Sequence, residues 1–321
     1  MAKALGWESM IGRRIRLRDL HVLFEVVQRG SMAKAANHLG ITQSAVSQVI
    51  ADLEHLLGVR LLDRSSRGVE ATVYGDALLK HGKAAFDDLR QGIQEIEFLK
   101  DPGVGHIRIG APESIASGVL PIIMREFSRI YSRANLDVET IASMGVLPKL
   151  RDRSLDLVIV LGGTTTEEIK LATDLKTEAL MNDKLVVVAD ARGAWARRRR
   201  IDLAELVGAP WVLAPSGFSN DLLFDAFRAR GLEMPKVLLR TFSIHIRCSL
   251  TVSGPYLTTL PGSVLHFYSD RLLLKALPVA LPDRPWPLQM VTLKDRTLSP
   301  LVQRFIECAH KAVRPLSKAY R

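Results

Sequence analysis

The chain has 321 residues and a formal net charge of +10, a length that predicts two or three domains with a substantial buried core. Residues 1–100 hold 14 Lys and Arg against 12 Asp and Glu, so most of the net positive charge lies in the remaining residues rather than being concentrated in one N-terminal region. The overall basicity is therefore weak evidence for a nucleic-acid partner. No apolar run reaches the roughly 18 residues of a membrane-spanning helix, and residues 1–16 lack the apolar core of a secretory signal. We therefore expect a cytoplasmic protein with no membrane partner and a short basic N-terminal tail at residues 1–16.

Two short helices are predicted after this tail. Apolar residues at i, i+3, i+4 and i+7 from Leu20 indicate a helix that ends at Gly30. A second helix, with Ser31 as its N-cap, turns small side chains toward its neighbours: Ala35, Ala36 and Leu39. Small residues at these positions let two helices cross closely, as in a helix-turn-helix.

A third helix, capped by Thr42, has two different faces. Its apolar residues share one side: Val46, Val49, Ile50 and Leu53. Its uncharged polar residues lie opposite: Gln43, Ser44, Ser47 and Gln48. A solvated helix surface usually carries Lys and Glu, whereas Gln and Ser suit the edges of bases in a major groove. The pattern favours a DNA-reading helix, with an ordinary helical hairpin as the alternative.

A β-hairpin is predicted next, with strand-like ends around residues 64–68. Its tip carries Arg64 and Arg67, whose guanidinium groups suit phosphates. Three helices and a basic hairpin make a winged helix-turn-helix, which we place at residues 17–73. Its candidate DNA-binding residues are Ser31, Thr42, Gln43, Ser44, Ser47, Gln48, Arg64 and Arg67.

These elements resemble the N-terminal domain of LysR-type transcriptional regulators. The resemblance covers residues 17–75 without a gap, and Gln48 stands where the family commonly has Arg or Lys. The matching residues are Leu20, Phe24, Gly30, Ser31, Ala35, Ala36, Leu39, Gln43, Ser44, Ala45, Ser47, Ile50, Leu53, Glu54, Leu57, Gly58, Leu61, Leu62, Arg64, Thr72 and Gly75. The resemblance implies an effector-responsive regulator of double-stranded DNA, and it admits RNA polymerase as a further partner.

Residues 74–102 are predicted to form a long helix that Asp101-Pro102-Gly103 ends. Apolar and small residues recur at alternating steps of four and three, with glycine at 82 and 92, which indicates a helix–helix seam. The candidate dimer residues are Leu78, Ala85, Leu89, Ile96 and Leu99. By resemblance, this is the linker helix of a homodimer that reads a pseudo-palindromic operator, and effector domains join dimers into a homotetramer. Packing of the helix on its own C-terminal domain is the alternative.

Residues 103–321 alternate strands and helices, which predicts a mostly parallel sheet in α/β layers. Predicted strands lie at 106–110, 136–141, 155–160, 185–190, 211–214, 236–241 and 289–293. The resemblance implies a two-lobed effector-binding domain like that of periplasmic-binding proteins. We place one lobe at about 103–161 and 266–321 and the other at about 162–265, with crossings near 162 and 265. The strand pattern alone also permits one larger sheet.

An effector pocket is expected between the lobes, where strands end and helices begin, because free N–H groups there favour anions. Its candidate residues are Glu113, Ser114, Ser143, Met144, Gly145, Ser216, Phe218, Thr259 and Pro261. By resemblance, Ser143 donates its hydroxyl to the effector. Each residue also has an interpretation as an ordinary helix cap. Glu113 disfavours a carboxylate ligand unless it turns away, so a sugar or another hydroxylated ligand is the alternative.

No enzyme signature, cofactor motif or metal-ligand spacing is found, so we expect no catalysis, cofactor or metal. Cys248 and Cys308 are far apart in sequence and are expected to be reduced, buried thiols. The run of residues 197–200, four arginines, is interpreted as a solvated loop. A solute-binding protein and an α/β enzyme are the disfavoured alternatives.

Overall fold

The computed structural model describes residues 14–65, 68–142, 145–162, 164–268, 273–284 and 286–319. The chain divides into two compact units, residues 1–90 and 91–321. The elements of the first unit, in chain order, are α1 (Leu17–Arg29), α2 (Met32–Leu39), α3 (Gln43–Leu57), β1 (Leu62–Ser65), β2 (Gly68–Ala71) and the start of α4 (Val73–Lys100).

The first unit is a three-helix bundle followed by a hairpin, as predicted. Its core takes the apolar side of each helix, including Leu23 of α1, Ala35 of α2 and Ile50 of α3, all of which are buried. β1 and β2 pair antiparallel, with Leu62 opposite Ala71 and Ser65 opposite Gly68. The three helices and the hairpin are those of a winged helix-turn-helix.

The second unit contains two lobes with separate sheets. The elements after α4 are β3 (Val104–Ala111), α5 (Glu113–Ala116), α6 (Val119–Ile130), β4 (Arg133–Thr140), α7 (Val146–Arg151), β5 (Leu157–Leu161), α8 (Thr164–Leu171), β6 (Leu175–Asp183), β7 (Leu185–Asp190), β8 (Trp211–Leu213), α9 (Phe218–Ala229), β9 (Val237–Arg240), α10 (Ile244–Ser253), β10 (Thr258–Pro261), α11 (Gly262–Tyr268), β11 (Leu274–Ala276), β12 (Trp286–Leu293) and α12 (Pro300–Ala319). Two 3-10 turns, Trp195–Arg197 and Leu203–Leu206, lie between β7 and β8.

Lobe I is built on a five-stranded sheet in the order β4-β3-β5-β12-β6. Side chains of β5 alternate between two apolar layers, because successive residues of a strand point to opposite faces. Ile159 of β5 packs in the layer that includes α6 and α12, whereas Val158 and Val160 pack in the layer that includes α7. The sheet is therefore covered on both faces.

Lobe II has a three-stranded sheet, β10-β7-β11, and a parallel pair, β8-β9. Trp211 of β8 forms a bridge to Leu257, which connects the two. Trp211, fully buried, packs in one apolar cluster with Phe227 of α9. A second cluster includes Cys248 of α10 and Val264 of α11.

The expectation of mostly parallel sheets is wrong. β12 runs antiparallel to both β5 and β6, and β10 and β11 run antiparallel to β7. The crossings expected near 162 and 265 lie instead after Asp183 and between β11 and β12, because β6 belongs to the sheet of lobe I and β11 to that of lobe II. β6 is an edge strand in which buried and exposed residues mix, so its sequence lacks a continuous apolar run.

A buried ion-pair cluster fixes the strands of lobe I to the segment before α12. The Asp156 carboxylate accepts hydrogen bonds from Arg296 Nη2 at 2.7 Å and Arg108 Nη2 at 3.0 Å. It also accepts the backbone N–H of Arg108 at 2.8 Å. The side chains of Asp156 and Arg296 are both 0% exposed, so neither charge has water as an alternative partner.

Candidate DNA-binding surface and interlobe pocket

The sequence predicts that the outer face of α3 is polar and exposed. The structure shows such a face in the first unit. Thr42 Oγ1 accepts the Ala45 N–H at 3.2 Å and so caps the helix. With its apolar side buried in the bundle, α3 leaves Gln43, Ser44 and Gln48 exposed. Gln48 Nε2 donates to Asp52 Oδ1 at 2.8 Å, which holds its amide along the helix.

Ser31 and Ser47 are placed differently from the rest of the predicted set. Ser31 Oγ accepts the Lys34 N–H at 3.4 Å, so it serves as the cap of α2. Ser47 is half-buried, and its Oγ lies 3.4 Å from Met32 Sδ. Ser47 lies on the flank of α3 that faces α2, which explains why it is less exposed than Gln43 and Gln48.

The hairpin is held against the helices by two sets of contacts. Glu54 of α3 accepts the backbone N–H groups of Leu61 and Leu62 at 2.7 and 3.2 Å. Val69 N–H donates to Gly30 O at 2.9 Å, and a Cβ on Gly68, where φ is +133°, would lie 2.8 Å from the same oxygen. Only glycine combines that backbone angle with so close an approach.

The tip of the hairpin presents Arg64 to solvent. Its side chain is exposed. Arg67 lies outside the described residues.

The predicted seam of α4 divides into a packed part and an exposed part. Leu78 is half-buried against the core of the first unit, and Gly82 is buried. Ala85 is exposed, as are larger apolar residues with exposed fractions of 51–75%: Leu89, Ile93, Ile96 and Leu99. We call these five exposed residues the α4 stripe. Ile93 is not among the candidate dimer residues predicted from the sequence.

A cavity of about 400 Å³ lies between the two lobes. Six predicted residues line it: Glu113, Ser114, Ser216, Phe218, Thr259 and Pro261. Gly145 is described but does not line the cavity, whereas Ser143 and Met144 lie outside the described residues. Thr140, Phe242, Arg247 and Trp286 also line it, and the sequence analysis missed all four.

Arg247 is the most unusual group in this cavity. Its residue is only 4% exposed, and its Nη1 donates to Thr259 O at 3.0 Å. Its Nε is buried without a hydrogen-bond partner. Burial lowers the pKa of the Arg247 guanidinium to about 10, and the neighbouring thiol of Cys248 and carboxylate of Glu113 oppose that shift. An arginine among apolar residues on a helix is the sequence signal that could have identified it.

Glu113 turns back onto its own helix. Its Oε1 accepts the Ser117 hydroxyl at 3.0 Å, one turn further along the chain. One oxygen of the Glu113 carboxylate is therefore hydrogen-bonded to the residue that follows α5. Because the carboxylate turns toward its own helix, the argument from Glu113 against an acidic ligand is weaker.

The first crossing between lobes is fastened by a buried carboxylate. Asp183, at the end of β6, accepts the Ser263 hydroxyl at 2.5 Å and the Lys184 N–H at 2.7 Å. Burial raises the pKa of Asp183, and these hydrogen bonds offset part of the rise. Ser263 belongs to α11, so the contact ties the crossing strand to the helix that follows β10.

Within the described ranges, no group of three or more His, Cys, Asp or Glu side chains could hold a metal ion. No helix of that part of the chain is both long and apolar enough to cross a membrane. Cys248 and Cys308 are free and buried, as expected.

Comparison with known proteins identifies two matched families. Residues 17–76 match the family described as "Bacterial regulatory helix-turn-helix protein, lysR family". Residues 100–314 match the one described as "LysR substrate binding domain".

Individual relatives match along nearly the whole chain. The HTH-type transcriptional regulator YdcI of Escherichia coli (strain K12) is 26% identical, over 95% of this chain and 98% of that protein. The transcriptional dual regulator GltC of Bacillus subtilis (strain 168) is 28% identical, over 91% of this chain and 96% of that protein. Full-length CbnR in complex with its target DNA is similar in fold, with a TM-score of 0.63 at 18% identity, over 93% of this chain and all of that one.

Proposed function

Because the chain belongs to the LysR family of bacterial transcriptional regulators, we propose that it reads double-stranded DNA with the outer face of α3, under the control of an effector bound between its lobes. The observation that carries the proposal is the uncharged polar surface of α3 on a winged helix-turn-helix. A regulator of this kind works where its DNA is, which in a bacterium is the cytoplasm.

For DNA reading, we propose that Gln43, Ser44 and Gln48 face base edges. Glutamine can bond adenine bidentately, and serine can serve either kind of base pair. Thr42 and Ser31, as caps, and Ser47, against Met32, would hold α3 and α2 in position. Arg64 and, by its sequence position, Arg67 would contact phosphates, which position the protein without specifying sequence.

For assembly, we propose that the α4 stripe pairs two chains. Isolated exposed apolar residues are common, but four large ones at helical spacing on one helix favour a helix partner. A homodimer would present two copies of α3 to the half-sites of a pseudo-palindromic operator. Association of effector domains into a homotetramer, and contact with RNA polymerase, rest on the family resemblance.

For regulation, we propose that the effector occupies the interlobe cavity. Its polar contacts would come from Ser114, Ser216 and Thr259, and its apolar contacts from Phe218 and Pro261. Ser143 stays in the proposal by the resemblance and Met144 by its sequence position, whereas Gly145 does not line the cavity. A ligand that binds one arrangement of the lobes better than another would shift the population of molecules toward that arrangement. The resulting movement of the subunits would change the spacing between the DNA-binding domains or the bend of the bound DNA.

An enzyme or a solute-binding protein would share the C-terminal architecture without needing a DNA-reading domain. We propose that the chain is neither, because its curated relatives YdcI and GltC are transcriptional regulators along nearly their whole length.

The test is a gel-shift experiment with the DNA upstream of the protein's own gene. The full-length protein should shift this fragment at concentrations that leave an unrelated fragment of equal length free. Footprinting should then show two protected half-sites. Equal affinity for both fragments, or no shift at all, would contradict the proposal for this DNA; a genome-wide selection of bound fragments that also yields no enriched sequence would overturn it.

A further inference from the structure

Arg247 is a buried charge whose neighbours leave it incompletely paired. No carboxylate of the described residues forms an ion pair with it. Among those residues, its guanidinium donates to the backbone carbonyl of Thr259, and its Nε has no partner. Buried charges in proteins are normally paired, because burial removes the water that would otherwise stabilise them. A guanidinium left in this state at the wall of a cavity is suited to an anion that arrives from outside.

The charges around the cavity fit one negative charge rather than two. Glu113 is the acidic residue that acts on Arg247, and its carboxylate is held by Ser117 rather than by the guanidinium. In lobe II, to which Arg247 also belongs, α9 begins at Phe218 after Gly217, with no side chain capping its first turn. The free N–H groups of a twelve-residue helix add a partial positive charge of about half a unit. A phosphate dianion would therefore exceed the available positive charge.

Besides hydroxyl side chains, the wall has an aromatic part that fits an apolar body. Phe218, Phe242 and Trp286 line the cavity, and Phe242 is half-exposed at 50%. Contact between such side chains and an aromatic or aliphatic group lowers the free energy by removing apolar surface from water. Their rings provide few hydrogen bonds for the many hydroxyls of a sugar.

We propose that the interlobe cavity takes a small organic monocarboxylate, whose carboxylate pairs with Arg247 and whose apolar body packs on Phe218, Phe242 and Trp286. The planar guanidinium can donate two parallel hydrogen bonds to a carboxylate, through Nε and a terminal nitrogen. Thr259, whose Oγ1 is buried without a partner, adds a hydroxyl near the same end. This proposal rests on the effector role proposed above and assigns its chemical class and anchor.

The test uses full-length protein and a panel of aliphatic and aromatic monocarboxylates, each paired with its neutral primary amide. Thermal shift identifies binders and calorimetry measures Kd. At least one acid, such as 3-phenylpropionate, should bind about tenfold or more tightly than its amide, because a charged hydrogen-bonded pair is lost in the amide. Phenyl phosphate, inorganic phosphate and glucose should bind more weakly than the best acid. Absence of any acid binder, equal affinity for acid and amide, or tighter binding of a phosphate would overturn the proposal.

Variants locate the carboxylate. Arg247→Met should weaken the best acid about ten- to hundredfold and leave its amide nearly unchanged. Arg199→Met, on an exposed arginine of the same lobe outside the cavity, is the matched control and should leave both affinities unchanged. If Arg247→Met does not fold, Arg247→Lys retains the charge without the planar fork and should give an intermediate Kd. Wild-type affinity in either folded variant would place the acid elsewhere.

The two proposals fail differently. If an acid binds through Arg247 but alters neither operator affinity nor the footprint of the wild-type protein, the effector role fails and the ligand assignment stands. If the protein shifts its operator but binds no acid, the ligand assignment fails and the regulator stands.

Discussion

Phe218 and Trp286 meet across the cleft, with ring centroids 5.7 Å apart and planes inclined at 48°. Phe218 begins α9 of lobe II, whereas Trp286 begins β12 of lobe I and donates its Nε1–H to Gly162 O at 3.3 Å. The two lobes thus touch through aromatic rings that also line the cavity. A ligand that enters here must pack on this pair or separate it, so its fit is linked to the distance between lobes.

The first prediction concerns base reading by α3. Gln43→Ala should cost on the order of 1–3 kcal/mol at the operator and little on random DNA, because a base-edge contact is lost and phosphate contacts remain. Titrated gel shifts on both DNAs measure the difference. An equal loss on both would mean that another face of the domain reads the bases.

The second prediction concerns the hairpin tip. Arg64→Ala should weaken binding to operator and random DNA alike. It should also reduce the magnitude of the negative slope of log K against log salt by about 1, because the protein then releases one counterion fewer on binding. Fluorescence anisotropy over a range of salt concentrations gives the slope. Loss confined to the operator would assign Arg64 to base reading instead.

The third prediction concerns the α4 stripe. Leu89→Asp should yield smaller species in sedimentation and much weaker binding to a two-half-site operator, because a charge is buried opposite its copy in a dry interface. Lys80→Glu, exposed on the opposite side of the helix, is the control and should keep the wild-type mass. An unchanged mass for Leu89→Asp would exclude this stripe as the main dimer contact.

The fourth prediction concerns the stability of lobe I. Asp156→Ala should destabilise the second unit by about 3–5 kcal/mol, because the buried guanidinium of Arg296 loses its counter-charge. Asp137→Ala removes an ion pair with His106 in which Asp137 is 74% exposed, and it should change stability little. Urea unfolding followed by circular dichroism compares the two. Similar decreases in the free energy of unfolding for the two variants would show that the buried Asp156 cluster stabilises lobe I no more than the exposed pair does.

The fifth prediction concerns thiol reactivity. Burial raises the pKa of the Cys248 thiol to about 11, so at pH 8 only about one molecule in a thousand carries the thiolate. Burial also raises the pKa of Cys308. Both thiols should react slowly with a disulfide reagent in the folded protein, with rates that rise as pH rises toward these pKa values, and rapidly in denaturant. Cys248→Ser separates the two signals, and fast reaction of the native protein at pH 7 would point to a reactive thiol.

The sequence predicts best the features that depend on near neighbours. Thr42 caps α3 through an atom three residues away, and the apolar side of that helix follows from its own spacing. Glu113 and Ser117 are one helical turn apart, so their hydrogen bond was also within reach of sequence reasoning.

Features that depend on distant residues were missed. β6 is a mixture of polar and apolar residues, and its pairing partner, β12, lies more than a hundred residues away, so the local sequence does not reveal the pairing. Arg247 meets Thr259 and the cavity only after α10 has packed on the sheet of lobe II.

The position of β12 also bears on how the protein is made. β12 lies between β5 and β6 in the sheet and is hydrogen-bonded to both, yet it is the last strand to leave the ribosome. By contrast, β7, β10 and β11 of lobe II are complete by residue 276. During synthesis, lobe II can close its sheet while β6 still lacks a neighbour and α12 does not yet exist to cover lobe I. Lobe I is begun first and finished last. A chain cut short before residue 286 would therefore carry a complete lobe II together with a lobe I that lacks the strand between β5 and β6, with apolar strand edges left open to aggregation.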